Sequence, residues 1–185
     1  MRVSPSTLGM FYACSEIILS ITRRSRSADR SRDRHSLTTL WVAIAVGVTL
    51  SIFTTNVCRF AFLQYPALDV VGLALFAAGI FLRWYSIVQL GRFFTVHVSI
   101  AAGQKIVDSG PYRFLRHPSY SGALLAFVGF GLCLHNWLAF LVLLTPITVA
   151  FVWRIHVEER ALIEAFGEKY RSYAARTKRL IPFVY

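Results

Sequence analysis

The chain has 185 residues, of which 56% are hydrophobic and 16% charged, with a mean hydropathy of +0.54. A soluble domain of this length cannot bury so large an apolar share, and an aqueous protein is excluded in favour of one that uses lipid as part of its solvent. The formal net charge of +11 would suit nucleic acid if the basic residues shared one solvated face, but they fall in short clusters between apolar runs, the pattern of a membrane protein.

Five apolar spans are predicted in chain order. The first, Ser6 to Ile21, is the shortest and carries Glu16. A carboxylate is costly in lipid, so Glu16 is expected to turn inward, with Arg83 of the third span as its partner. The second span, Leu37 to Cys58, and the third, Ala67 to Leu90, each exceed the roughly 20 residues that a bilayer core requires. The fourth and fifth, Pro118 to His135 and Trp137 to Trp153, are separated by little more than Asn136 and predict a helical hairpin. No cleavable leader is expected, because a basic cluster rather than a small-residue site follows the first span. Cys14, Cys58 and Cys133 lie inside apolar runs and read as small buried hydrophobes.

The basic clusters orient these spans. RRSRSADRSRDRH, residues 23–35 of the basic loop 22–35, separates spans one and two; Arg92, Lys105, Arg113 and Arg116 separate three and four; Arg160, Lys169, Arg171, Arg176, Lys178 and Arg179 follow the fifth. The alternate connections hold only Arg59. Positive residues stay on the cytoplasmic side, so the expected topology has the N-terminus outside and the C-terminus in the cytoplasm. That membrane would be the inner or plasma membrane in a prokaryote and the endoplasmic reticulum in a eukaryote.

The chain divides at residue 90. Residues 1–90 hold three spans. Residues 91–185 hold a cytoplasmic segment, the hairpin 118–153 and a C-terminal amphipathic helix whose Leu162, Ala165, Phe166, Tyr170 and Tyr173 recur at helical spacing. Gly167 weakens the interior of that helix and Pro182 ends it.

Chemistry concentrates in two places. In GPYRFLRHPSYSG, over residues 110–122, Pro118 suits the first turn of a helix and pushes His117 into extended geometry. The N-terminus of the fourth span then offers free amides and a positive dipole end to an anion, with His117, Tyr112 and Tyr120 around it. In the second, Arg154 and Glu158 are four apart on one helix face, followed by Glu159. Glu158 would balance a cationic ligand while Arg154 holds an anionic one. No metal is expected, since the histidines and carboxylates lack ligand spacing. Gly129-Phe130-Gly131 sits inside a span without a flanking strand, which excludes a dinucleotide-binding turn. Gly122 and Ala126 fit close helix packing instead.

Taken together, GPYRFLRHPSYSG, the hairpin and EERALIEAFGEKYRSYAARTKRLIPF resemble the isoprenylcysteine carboxyl methyltransferase family over Leu90 to Phe183. The N-terminal half is similar in topology alone and has fewer spans than eukaryotic members. The resemblance implies an all-α integral-membrane fold of about five helices, with the C-terminal helix closing over S-adenosylmethionine at the cytoplasmic interface. It implies cofactor contacts at His97, Gln104, Lys105, Ile106, Val107, Tyr112, His117, Pro118, Ser119, Tyr120, Glu158 and Glu159. Arg154 and Arg83 would meet the substrate, and Arg154, Glu158 and His117 would form the catalytic group. The implied reaction is methyl transfer to the carboxylate of an isoprenylcysteine-type acceptor entering from the bilayer, with lipid and prenylated substrates as partners and no nucleic acid. The alternatives are a phosphatidylethanolamine-type N-methyltransferase, an NADPH-dependent membrane reductase, and a non-enzymatic scaffold.

Overall fold

A computed structural model describes residues 4–22, 34–59, 65, 67–94 and 103–181. Among these residues there are six α-helices and no strand: α1 (Pro5–Thr22), α2 (Arg34–Val57), α3 (Ala67–Leu90), α4 (Pro118–Cys133), α5 (Trp137–Phe166) and α6 (Glu168–Arg176). Short 3-10 turns at Gly91–Phe93 and Gly110–Arg113 flank the segment between α3 and α4.

Three helices are long and apolar enough to cross a bilayer: His35–Val57, Ala67–Leu90 and Trp137–Phe166. α4 is apolar but only 16 residues long. The outer faces carry Val70 at 72%, Phe81 at 71% and Val149 at 64% exposure, which water would not tolerate over so large an area and lipid does. The chain is an integral membrane protein.

The core forms where α4 is enclosed by its neighbours, with Phe76, Ala126, Phe127, Phe130, Leu143, Ile147 and Phe151 buried together. α3 and α4 approach backbone to backbone because glycines face each other across the seam. A Cβ on Gly79 would lie 2.3 Å from Ala126 N and 2.6 Å from Gly122 O, and one on Gly129 2.4 Å from Gly72 O. Small residues permit this contact, and the expectation of close packing at Gly122 and Ala126 holds. Gly79→Ala gains about 1 kcal/mol of helix propensity, yet it must force two backbones apart. We expect a net loss of about 2–3 kcal/mol, checked by thermal unfolding in detergent.

The predicted hairpin between α4 and α5 is present. Asn136 caps α5 by accepting from Ala139 N at 3.0 Å, and its Nδ2 donates to Cys58 O at 2.8 Å. His135, at φ 51°, places Nε2 2.9 Å from Asp69 Oδ1. One turn thereby ties three helix ends together.

The C-terminal region departs from expectation. The fifth span does not stop at Trp153; α5 runs unbroken for 30 residues and carries Arg154, Glu158 and Glu159 on its extension. Gly167, at φ 54°, terminates α5 rather than weakening a helix interior, and α6 is a separate nine-residue element. A left-handed residue cannot continue the helix, and glycine adopts that conformation without strain. Tyr170 and Tyr173 are buried as their spacing suggests, but Ala165, on the last turn of α5, is exposed. Pro182, His97 and the arginines at 23–32 lie outside the described residues.

Candidate functional site

α4 begins at Pro118 as expected, with His117 at φ −125° and ψ 54°, outside the helical region but short of full extension. Proline supplies no N–H, and the amides of Tyr120 and Ser121 both return to the His117 carbonyl at 3.0 and 3.1 Å. The anion site expected at this terminus therefore narrows to the Ser119 amide.

Above this terminus lies a cleft partly open to solvent. Leu90, Phe93 and Phe94 form one side, Gln104 to Val107 and Tyr112 another, and His117, Ser119 and Tyr120 the floor. Arg154, Glu158, Leu162 and Phe166 from α5, with Tyr170 and Tyr173 from α6, complete the wall. Burial raises the Tyr112, Tyr170 and Tyr173 phenols well above their ordinary range, so all three stay neutral. Tyr173 donates to the Tyr112 carbonyl at 2.8 Å and fixes α6 against the segment before α4.

A polar relay crosses the floor. The Tyr120 hydroxyl donates to Glu158 Oε2 at 2.8 Å and accepts from Arg154 Nε at 3.1 Å. The second end of the guanidinium, NH1, donates to Ser36 Oγ on α2 at 2.9 Å. His117 stacks on Tyr120 with centroids 5.6 Å apart, its Nδ1 3.7 Å from Glu158 Oε2. The arrangement keeps a guanidinium and a carboxylate on consecutive turns from collapsing onto each other, by inserting a hydroxyl between them.

A second, smaller cavity lies among α1, α2, α3 and α5, lined by Leu19, Leu37, Leu40, Trp41, Ile44 and Phe151 with Tyr12, Glu16 and Arg83. It shares Phe94, Tyr120 and Arg154 with the cleft. One space is aromatic and polar, the other mainly apolar, and Arg154 borders both. Arg83 faces the second cavity, but its donors are engaged: Nε and NH2 meet Glu16 at 2.5 and 2.7 Å, and NH1 meets Ser119 O at 3.3 Å. The inward turn of Glu16 onto Arg83 is as expected.

Of the sequence-derived residues, Gln104, Lys105, Ile106, Val107, Tyr112, His117, Ser119, Tyr120, Arg154 and Glu158 meet at the cleft. Pro118 is buried behind it. Glu159 does not line it; adjacent helical residues point about 100° apart, and Glu159 faces Arg116 at 2.9 Å and Arg179 at 3.0 Å. Ser36 was not foreseen: it carries no motif, and its proximity to Arg154 arises only from the packing of α2 on α5.

The sequence profile of the phospholipid methyltransferase family matches residues 68–169. The chain is similar to protein-S-isoprenylcysteine O-methyltransferase B of Arabidopsis thaliana, 31% identical over 182 residues, covering 95% of this chain and 89% of the relative. It is similar to protein-S-isoprenylcysteine O-methyltransferase A of the same plant, 31% identical over 178 residues with the same coverage. Among solved structures it is similar to the eukaryotic intramembrane Ras methyltransferase ICMT (isoprenylcysteine carboxyl methyltransferase), with a TM-score of 0.62 and 25% identity. That match covers 76% of this chain and 52% of the other, so the chain spans about half the length of the solved relative.

Proposed function

The chain belongs to the phospholipid methyltransferase family and, within it, to the isoprenylcysteine O-methyltransferases; from that premise we propose that it methylates the carboxylate of a lipophilic, isoprenylcysteine-type acceptor. The observation that carries this reading is Arg154 on the border of a polar aromatic cleft and an apolar cavity, linked through Tyr120 to Glu158.

The residues of the cleft suit S-adenosylmethionine. Glu158 offers a carboxylate to a positively charged ligand, and neutral phenols and Phe166 offer ring faces to a planar base and a cation. The Tyr170 hydroxyl, on the cleft wall, is buried without a hydrogen-bond partner, as suits a polar ligand. Gln104 to Val107, Tyr112 and Ser119 would complete its enclosure. When bound, S-adenosylmethionine supplies an electrophilic methyl group.

The protein's own contribution is alignment. Arg154, held at two points by Ser36 and Tyr120, would orient the acceptor carboxylate from the apolar cavity. A carboxylic acid with an ordinary pKa near 4 is already ionised at neutral pH, so no base is needed. An amine acceptor would need one, yet both ring nitrogens of His117 lie against carboxylates and Glu159 is held by two arginines. This supports the carboxylate acceptor over a phosphatidylethanolamine-type amine. His117 would serve by packing on Tyr120 and facing Glu158.

The reading extends to the placement of the chain. Five membrane helices with every basic cluster on one side would put the N-terminus outside and the cleft at the cytoplasmic face. Residues 91–185 would carry the chemistry and residues 1–90 the lipid-facing wall, with the end of α5 and α6 closing over the cofactor. Prenylated substrates would arrive laterally from the bilayer.

Calorimetry on detergent-purified protein tests this. S-adenosylmethionine and S-adenosylhomocysteine should bind in the micromolar range, with NADPH as a non-binding control. Glu158→Ala should weaken both by at least about tenfold, the loss of one charge-assisted contact of about 1.4 kcal/mol or more. Failure of folded protein to bind either compound would overturn the assignment. A panel of prenylcysteine and phosphatidylethanolamine acceptors would then identify the nucleophile.

A further inference from the structure

Glu158 and Glu159 are neighbours in sequence with opposite surroundings. Glu158 lines the cleft, whereas Glu159 is 6% exposed and lies behind it. Glu159 Oε2 receives Arg179 through Nε and NH2, each at 3.0 Å. Its Oε1 lies 2.9 Å from Arg116 NH1 and 3.4 Å from His117 Nε2, both within charge contact and neither aligned as a hydrogen bond. One carboxylate therefore gathers groups from two separate segments, the start of α4 and the stretch after α6.

The backbones of those segments are joined at the same place. Arg116 N donates to Lys178 O at 2.7 Å, His117 N to Arg179 O at 3.1 Å, and Lys178 N to Phe114 O at 3.1 Å. Ser121 Oγ donates to Leu180 O at 2.6 Å. Two arginines, one of them mostly buried, are brought together here, and without a carboxylate between them they would repel across a poorly hydrated gap. Glu159 lies between the two arginines where residues 178 and 179 bond along 114–117.

We propose that Glu159 is a positioning residue of the cofactor cleft, acting through Arg116 and Arg179 to fix His117 rather than touching the ligand. This rests on the reading of the cleft as the site of S-adenosylmethionine.

The test is a double-mutant cycle on S-adenosylhomocysteine affinity in the full chain, with the thermal midpoint recorded for each variant. Glu159→Gln keeps the shape and removes the charge; it should raise the Kd about tenfold, and Arg179→Gln about fivefold, although neither side chain lines the cleft. The double variant should be no weaker than about tenfold, because both changes break the same link. Multiplication of the two effects to about fiftyfold, as independent contacts would give, overturns the proposal. An unchanged Kd with a lowered thermal midpoint also overturns it, showing a role in stability alone. If Glu159→Gln does not fold, Arg179→Gln, at a partly exposed position, still decides: an unchanged Kd rejects the link. Absence of binding by the unchanged protein would instead overturn the cofactor reading itself, and this inference with it.

Discussion

Replacing Arg154 by alanine is expected to cut methyl transfer about a thousandfold, equivalent to about 4 kcal/mol, while leaving the Kd for S-adenosylhomocysteine within about threefold. The separation follows from where the guanidinium lies. It borders the apolar cavity, and its Nε and NH1 are held by Tyr120 and Ser36. Its removal takes away the group that would orient the acceptor, while Glu158 and the aromatic walls of the cleft remain. Arg154→Lys keeps the charge but loses the planar fork that engages two partners and a carboxylate together. It should therefore recover only part of the rate. Initial rates with labelled S-adenosylmethionine, read beside calorimetry, check both. If ligand affinity falls in step with the rate, Arg154 serves the cofactor and the division between the two cavities is wrong.

The second large effect is on stability. Glu16→Leu leaves the Arg83 guanidinium, 9% exposed, without its carboxylate at membrane depth. Removing one partner of a buried ion pair costs about 3–5 kcal/mol, because the other charge stays uncompensated. The expected result is a sharp fall in the thermal midpoint in detergent. Adding Arg83→Met to that variant should restore much of the loss, since two apolar side chains replace the pair without an orphaned charge. If the double variant is worse than the single, Arg83 contributes independently, and its bond to the Ser119 carbonyl at 3.3 Å is the place to look.

Much of this was legible in the residues. Apolar run lengths located the helices, Pro118 marked the start of α4 to the residue, and the charge of Glu16 in an apolar run called for Arg83. The four-residue spacing of Arg154 and Glu158 alone puts them on one helix face. What was not legible depends on helix packing. The relation to Arg154 marks Glu158, but nothing local shows what Glu159 faces; its surroundings are set by where α4 and residues 177–181 lie around α5. Ser36 reads as an ordinary polar residue at the end of a basic stretch until α2 packs on α5. The break at Gly167 was misjudged because a glycine in a helical pattern carries the same letter whether it bends, weakens or ends the helix.

The unbroken course of α5 has a mechanical consequence. From the Asn136 cap to Phe166 it is one helix with Pro146 in its interior, and beyond that proline it carries Arg154 and Glu158 only four residues apart, about 6 Å along the axis at ~1.5 Å per residue. Their spacing is therefore a constant of the helix, insensitive to how widely the surrounding walls open or shut. Tyr170 and Tyr173, by contrast, reach the cleft from α6 beyond Gly167, so that wall is built on a separate piece of chain. The molecule thus keeps the spacing of its charged pair on one helix and part of the aromatic wall facing it on another.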